Sequence, residues 1–302
     1  MRNILRFAVI VPVALGLVHA SYGAEAVKLR AMTAAYTDNN GNPLKLPEGV
    51  AYDEKSLLAV ADTGNGRIQL YIFKGDRLAP QASFTLPQLP YPIRVQFDSN
   101  GEILALDGKS RRIVRVTTTG EFRGYLEPAG MPTSGTVIPR SFKVDGKGNI
   151  HIVDIFSGRV LVLDPAGKFQ WEIPFPKKYG FFSDLAVDGN GVVYLIDSVG
   201  GKVFSAQRNA AAITPLTDNL KEDLNFPVGI ASDNRGRLFV VDQNGSGIVI
   251  LGQDGSFQGR QLGMGWREGF LRYPSALCIT SNGIIFIADR GNSRVQAFSV
   301  VQ

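Results

Sequence analysis

The sequence contains few of the side chains that most often bind metals or form covalent links. Cys278 is the one cysteine among 302 residues, so no disulfide can form within the chain and stability must come from a hydrophobic core. His19 and His151 are the two histidines. A zinc site built from several histidines is therefore excluded, and a histidine-based catalytic triad is disfavoured.

Motifs of common catalytic and nucleotide-binding sites are also missing. The chain has no Gly-x-Ser-x-Gly elbow, no phosphate-binding loop and no Gly-x-Gly-x-x-Gly. Residues 38–42 (Asp-Asn-Asn-Gly-Asn) are faintly similar to a calcium-binding loop, but Pro43 stands where that loop needs a glycine. We therefore predict no catalytic residue, no metal site and no cofactor from motifs.

The N-terminus is typical of a secretory signal peptide. Two arginines precede the apolar residues 7–18, and small residues near Ala20 offer a cleavage site. The predicted signal peptide spans residues 1–20, with cleavage as late as Ala24 as a second option. About a dozen apolar residues are too few for a membrane span, although an uncleaved anchor is the alternative. We expect export to the periplasm or the extracellular space and no membrane span in the mature chain.

The charge balance argues against a nucleic-acid partner. The chain has 32 basic and 27 acidic side chains, a net charge of +5. Removal of residues 1–20 would take away two arginines and leave a mildly basic protein, without the dense basic stripe of a nucleic-acid binder. We expect a monomer that does not bind nucleic acid.

A fingerprint of charged and turn-forming residues returns six times. Its central aspartate recurs every 43 to 47 residues, at Asp62, Asp107, Asp154, Asp197, Asp242 and Asp289. A basic side chain follows five residues later except at Gly247, and a proline stands fifteen residues earlier except at Phe182. A second aspartate precedes the first by nine residues except at Thr280. This period indicates a repeat architecture, in which we interpret the repeated residues as structural.

Each repeat predicts four antiparallel strands. Residues 103–106 (Ile-Leu-Ala-Leu) and their counterparts do not alternate polar with apolar, which indicates strands covered on both faces. Turns such as residues 188–191 (Asp-Gly-Asn-Gly) connect them as hairpins. Six such units predict an all-β, six-bladed β-propeller over residues 25–302, as a single domain. The last repeat ends after its third strand, so residues 27–36 are predicted to complete its blade and close the ring.

The residues after two of the central aspartates resemble the signature of NHL repeats. Residues 62–69 (Asp-Thr-Gly-Asn-Gly-Arg-Ile-Gln) and 289–296 (Asp-Arg-Gly-Asn-Ser-Arg-Val-Gln) carry the resemblance, which extends over residues 45–302. It implies a six-bladed propeller that binds proteins or ligands, without implying one activity. Propeller amidating lyases share the repeat but use histidine-bound zinc. His151 takes the place of Tyr194 and Phe239 in other repeats, so we predict that it is a core residue.

Four charged residues follow the repeated prolines, at positions that should surround the central channel. They are Glu48, Arg94, Arg140 and Asp184. One interpretation is a pocket that binds an anionic group through the arginines, whose guanidinium groups fit carboxylates and phosphates. The other is that the four charges pair with one another and with water. A calcium-assisted hydrolase or lactonase that uses Glu48 and Asp184 is the enzymatic alternative.

The loops that lead into the blades are rich in aromatic residues flanked by arginines, a composition typical of protein-recognition surfaces. The candidate binding residues are Tyr91, Tyr179, Trp266, Arg267, Arg272, Tyr273 and Arg290. The six repeats form a complete scaffold without a catalytic constellation. This favours the interpretation that the protein is non-enzymatic and binds a protein or peptide partner through these loops.

Overall fold

The computed structural model describes residues 27–132, 135–218 and 220–301. The expected signal peptide lies outside this part of the chain. The described residues form six four-stranded antiparallel sheets arranged as blades, with two short 3-10 helices at Thr63–Asn65 and Arg290–Asn292. The predicted all-β, six-bladed propeller is therefore confirmed. No helix within these residues is long and apolar enough to cross a membrane.

The strands follow the repeats in chain order, four to a blade. Strand β1, Lys28–Ala35, precedes the first blade. Blade 1 contains β2 (Gly49–Tyr52), β3 (Leu57–Asp62), β4 (Arg67–Lys74) and β5 (Arg77–Phe84). Blade 2 contains β6 (Pro92–Phe97), β7 (Ile103–Asp107), β8 (Ile113–Val116) and β9 (Phe122–Tyr125). Blade 3 contains β10 (Pro139–Val144), β11 (Ile150–Asp154), β12 (Arg159–Leu163) and β13 (Phe169–Pro174).

The second half of the ring repeats this order. Blade 4 contains β14 (Phe182–Val187), β15 (Val193–Asp197), β16 (Lys202–Ala206) and β17 (Thr214–Pro215). Blade 5 contains β18 (Pro227–Ser232), β19 (Leu238–Asp242), β20 (Gly247–Leu251) and β21 (Phe257–Gln261). Blade 6 contains β22 (Ala276–Ile279), β23 (Ile284–Asp289) and β24 (Arg294–Val301), and β1 is its outer strand.

Strand β1 closes the ring as the sequence predicts. It pairs antiparallel with β24, from Lys28 opposite Val301 to Ala35 opposite Val295, with one irregularity between Ala31 and Thr33. The pairing covers the free edge that β24 would otherwise expose.

The core lies between successive blades. Phe239 of blade 5 packs in one buried cluster with Ile285 and Phe298 of blade 6. Phe286 of blade 6 packs in the next cluster with Tyr71 of blade 1. Both faces of the middle strands are thus buried, which explains their unbroken apolar runs. His151 in β11 is 2% exposed, which confirms that it is a core residue.

The antiparallel register defines two faces of the ring. Each inner strand starts beside the end of the second strand, as where Pro92 pairs with Asp107 and Pro227 with Asp242. The loops that lead into the blades and the turns that follow the central aspartates therefore share one face, which we call the upper face. The turns between the inner and second strands, such as residues 98–101, form the lower face. The inner strands (β2, β6, β10, β14, β18 and β22) contact one another around the channel.

Candidate functional site

The central aspartate of each repeat fixes the loop that leads into its blade. The Asp62 carboxylate accepts a hydrogen bond from the Lys45 backbone N–H, 2.7 Å away. The same bond joins Asp107 to the Tyr91 amide and Asp289 to the Arg272 amide, at 2.7 Å each. Corresponding bonds in the other blades join Asp154 to Ile138, Asp197 to Gly180 and Phe181, and Asp242 to Asn225 and Phe226. The upper-face loops are thus held by buried carboxylates, a role that the sequence analysis missed.

The central aspartate pairs with the basic residue five positions later in three blades. The N–O distances are 2.7 Å for Arg67–Asp62, 3.1 Å for Arg159–Asp154 and 2.6 Å for Arg294–Asp289. In blade 2, Arg112 pairs instead with Glu127 and lies over the Tyr125 ring.

Blade 5 replaces the missing basic residue with one from its outer strand. Arg260 in β21 reaches Asp242 at 2.8 Å. Gly247 makes room for it, because a Cβ there would lie 2.9 Å from the Arg260 guanidinium. The basic residue that this repeat lacks is therefore replaced by another from the same blade.

Arg294 also shapes the longest aromatic loop of the upper face. Its guanidinium is buried and donates to the backbone carbonyls of Trp266, Arg267 and Phe270, at 2.8 to 2.9 Å. The Gln296 side chain adds a bond to the same Phe270 carbonyl, at 2.7 Å. These bonds restrain the loop of residues 262–273, in which Trp266 is 80% exposed. A preformed loop loses little conformational entropy on binding.

Exposed apolar side chains are concentrated on the upper face. All the large exposed hydrophobic residues in the described part of the chain lie there, apart from Phe257 and Val301. They are Tyr36, Ile155, Phe156, Tyr179, Phe181, Val199, Phe226, Met264, Trp266, Phe270 and Tyr273. Among the described residues, the large exposed apolar side chains are thus unevenly distributed between the two faces of the ring.

Five of the seven predicted upper-face residues are exposed. They are Tyr179, Trp266, Arg267, Arg272 and Tyr273. Tyr91 and Arg290, the other two candidates, are half-buried. The Tyr179 ring stacks on Phe182, with 4.7 Å between centroids, so part of this aromatic group is structural.

A groove between blades 4 and 5 continues the apolar part of the upper face. Its volume is about 840 Å³, and its walls include Val199, Leu224 and Phe226. Arg260, which pairs with Asp242, lines the other side. The sequence did not indicate this groove, because turns from two repeats form it.

Arg94 lies across the central channel. Its Nη1 donates to the carbonyl oxygens of Ile93 and Glu48, at 2.9 and 3.2 Å, and its Nη2 reaches the carbonyl of Val228 at 3.4 Å. Its Nε lies 3.9 Å from the Asp184 carboxylate. The side chain is buried and joins four blades, so it stabilises the ring.

The channel carboxylates have partners in neighbouring blades. Asp184 accepts hydrogen bonds from the Ser141 hydroxyl and from the Ile230 backbone N–H. Glu48 pairs with Arg290 at 3.1 Å. Two of the four predicted channel charges, Arg94 and Asp184, thus lie side by side, while Glu48 pairs with a residue that the sequence assigned to the loop surface.

Arg140 differs from the other channel charges. Among the described residues it forms no hydrogen bond and no ion pair. Burial lowers the pKa of Arg140 to about 10, and the positive charges of Arg94 and Arg111 add to this shift. Its guanidinium lies 5.5 Å from the centre of the exposed Phe181 ring.

The loop that the sequence compared with a calcium site is closed by its own amides. The Asp38 carboxylate accepts bonds from the Asn40 and Asn42 amides and pairs with Arg67 at 2.6 Å. These bonds hold the pKa of Asp38 well below its usual range, the Asn42 side-chain bond contributing most. Across residues 27–132, 135–218 and 220–301, no three His, Cys, Asp or Glu side chains are grouped to hold a metal.

The lower mouth of the channel is a second cavity that the sequence did not indicate. Its volume is about 540 Å³, and all six inner strands line it. Lys143 and Cys278 are among the lining residues. Burial raises the pKa of the Cys278 thiol to about 12, so this cysteine stays protonated at neutral pH.

Comparisons with known proteins identify the repeat and the fold. The NHL repeat family matches residues 271–298, which contain the motif at 289–296. A comparison with characterised protein sequences found no significant match.

Solved structures of similar architecture include virginiamycin B lyase from Staphylococcus aureus (TM-score 0.63, 16% identity, covering 91% of this chain and 100% of that one). A gluconolactonase from Xanthomonas campestris has a TM-score of 0.65 at 14% identity, over 92% of this chain and 99% of that one. A luciferin-regenerating enzyme has a TM-score of 0.62 at 15% identity, over 91% and 95%. These identities show the fold alone. The protein is a six-bladed β-propeller that carries an NHL repeat.

Proposed function

We propose that this propeller is a scaffold that binds a protein or peptide partner on its upper face. The observation that carries the proposal is the one-sided distribution of exposed apolar side chains, from Tyr36 around to Tyr273. Exposed apolar surface is unfavourable in water, and a partner that covers it removes this cost. Preformed loops and a groove of about 840 Å³ supply the shape that a partner needs.

The charges on the upper face indicate a partner with acidic and apolar residues. Exposed cations are Lys45, Lys109, Arg112, Lys177, Lys178, Lys221, Arg260, Arg267 and Arg272. Exposed acids are Glu127, Asp218, Glu222 and Glu268. Because the cations outnumber the acids, an acidic partner should associate faster and form favourable charge pairs at the rim of the interface.

The test is selection of binding peptides from a displayed library on the immobilised protein, followed by affinity measurements with variants. Trp266→Ala and Tyr273→Ala are expected to weaken binding at least tenfold, as loss of central aromatic contacts does. Phe257→Ala is the matched control, because Phe257 is an exposed aromatic residue away from the upper face. Equal affinities for wild type and all three variants would refute the proposal.

A channel-based enzyme is the alternative, which the names of the structural neighbours suggest. The channel carboxylates Asp184 and Glu48 are engaged by Ser141, Ile230 and Arg290, and His151 is buried, so these groups offer less to a substrate than the upper face offers to a partner. A thermal-shift screen with calcium salts, lactones and sugar acids tests the alternative, since ligands that bind the native state raise its stability. Turnover of a lactone would favour the enzyme over the scaffold.

We also propose that the protein is exported to the periplasm or the extracellular space. The basic start and the short apolar run of residues 1–20 support this proposal. Mass spectrometry of the protein recovered outside the cytoplasm should find a mature N-terminus after Ala20 or as late as Ala24. A full-length chain retained in the cytoplasm would contradict export.

A further inference from the structure

Three guanidinium groups from two adjacent blades converge at the upper mouth of the channel. Arg94 and Arg111 of blade 2 lie close enough to Arg140 of blade 3 for their charges to act on it. Carbonyl oxygens engage Arg94. Arg111 follows the second strand at a left-handed backbone position, and its buried Nη1 has no partner among the described atoms. Positive charge is therefore in excess at this mouth.

Asp184 and Glu48 also act on Arg140 and offset part of this excess, but neither forms an ion pair with it. Asp184 lies beside Arg94 and already accepts bonds from the Ser141 hydroxyl and the Ile230 amide. Glu48 pairs with Arg290. A partly buried guanidinium that forms no ion pair carries an electrostatic cost, which an incoming anion would remove.

We propose that Arg140 binds a carboxylate of the partner at the upper mouth of the channel. This inference rests on the proposed function, because the carboxylate reaches the channel from a partner seated on the upper face. A planar guanidinium pairs with a carboxylate through two parallel hydrogen bonds. The nearby negative charge of Asp184 favours a singly charged group over a doubly charged phosphate.

The surroundings of Arg140 define what stands next to that carboxylate. Phe181 lies over the Arg140 guanidinium and is itself exposed on the upper face. Tyr179, which lies in the same loop as Phe181, stacks on the Phe182 ring. The site therefore fits a carboxylate that adjoins an apolar side chain, such as the C-terminus of a peptide with an apolar last residue, or an acidic side chain in an apolar sequence.

The experiment compares matched ligands on matched variants. Each peptide selected by display is synthesised with a free C-terminal acid, with a C-terminal amide, and with each Asp or Glu replaced by Asn or Gln. Loss of the one carboxylate that reaches Arg140 is expected to weaken binding about ten- to a hundredfold, the range for a hydrogen-bonded charge. The position whose neutralisation weakens binding separates a chain terminus from an acidic side chain as the source.

Variants at Arg140 test the same contact from the side of the protein. Arg140→Met should lose the preference for the acid over the amide, Arg140→Lys should keep part of it, and Arg235→Met is the control, since Arg235 is an exposed arginine on the lower face. Thermal melts check that the variants fold. The Met variant should melt at or above the wild-type temperature without ligand, because it removes a partly buried, unpaired charge.

Failure of the inference differs from failure of the proposed function. Peptides that depend on Trp266 but bind equally well as acid and amide, and equally well to Arg140→Met, would overturn the inference and leave the scaffold intact. If no peptide binds, titration with benzoate and its uncharged isostere benzamide tests the carboxylate site at Arg140 directly. Binding of benzoate alone, lost in Arg140→Met, would support a site for free small carboxylates, and binding of neither would overturn the site.

Discussion

The guanidinium of Arg94 in blade 2 reaches the carbonyl oxygen of Val228 in blade 5, on the opposite side of the channel, at 3.4 Å. The same side chain donates to carbonyls of Ile93 and Glu48. One arginine thus crosses the channel and ties distant blades, while Arg140 beside it forms no ion pair with any residue that the structure describes. The two arginines share a place in the repeat but have different roles.

Replacement of Arg94 should destabilise the fold. Arg94→Met leaves the carbonyls of Glu48, Ile93 and Val228 without this donor in a buried channel, which is expected to cost about 2 to 3 kcal/mol of unfolding free energy. Urea denaturation measures the loss. Arg235→Met should change stability by less than about 0.5 kcal/mol, because its side chain is exposed. An Arg94→Met protein as stable as the wild type would show that the channel bonds contribute little.

Replacement of Arg294 should release the loop of residues 262–273. Arg294→Met removes the ion pair to Asp289 and the bonds to three loop carbonyls, with an expected loss of about 3 kcal/mol. Hydrogen exchange of the loop amides should become faster, and affinity for selected peptides should fall. Arg123→Met, which breaks exposed ion pairs only, serves as the control. Unchanged exchange in the loop would contradict this role of Arg294.

The thiol of Cys278 should be inert in the folded protein. Burial raises its pKa to about 12, so the reactive thiolate is scarce at pH 8. Labelling with a disulfide reagent is expected to be slow without denaturant and complete within minutes in guanidinium chloride. Rapid labelling of the native protein would mean that the lower cavity admits the reagent and exposes the sulfur.

Acid should destabilise the loop of residues 38–42. The pKa of Asp38 is held below its usual range, first by the Asn42 side chain and also by Arg67. The stabilisation from a lowered carboxyl pKa is complete above the unfolded pKa of about 4 and is lost as pH falls through the folded value. Wild type should therefore be more stable than Asp38→Asn at pH 7, and the difference should shrink below about pH 4.

Urea titrations at pH 7, 4 and 3 measure this difference. Asp76→Asn is the control, because Asp76 is exposed at a turn tip. A gap between wild type and Asp38→Asn that stays constant down to pH 3 would contradict the assignment.

The fold was predictable from the sequence because the same local pattern recurs in all six units. Each central aspartate, with its turn and its apolar run, specifies one blade, and the truncated last repeat implied the closing strand. Pairings between distant repeats were not predictable. Glu48 and Arg290 stand 242 residues apart, and Arg94 and Val228 stand 134 residues apart. The period of the repeat does not reveal which charges meet across a channel.

The replacement of the missing basic residue in blade 5 was not predictable from the repeat either. Arg260 lies in an outer strand and replaces the basic residue that the repeat lacks beside Asp242. No spacing rule marks it, because only β-pairing between β20 and β21 brings it to Gly247 and Asp242. The seven loop residues were predicted from composition, yet the half-buried positions of Tyr91 and Arg290 depend on packing that composition does not determine.

A hydrogen-exchange footprint of the protein with a peptide selected by display tests binding on the upper face most directly. Slower exchange is expected in residues 262–273 and in the groove residues 221–227, both on the upper face. Exchange in the lower-face turns at residues 98–101 and 145–148 should not change. Protection confined to the lower-face turns, with the upper-face loops unaffected, would contradict partner binding on the upper face.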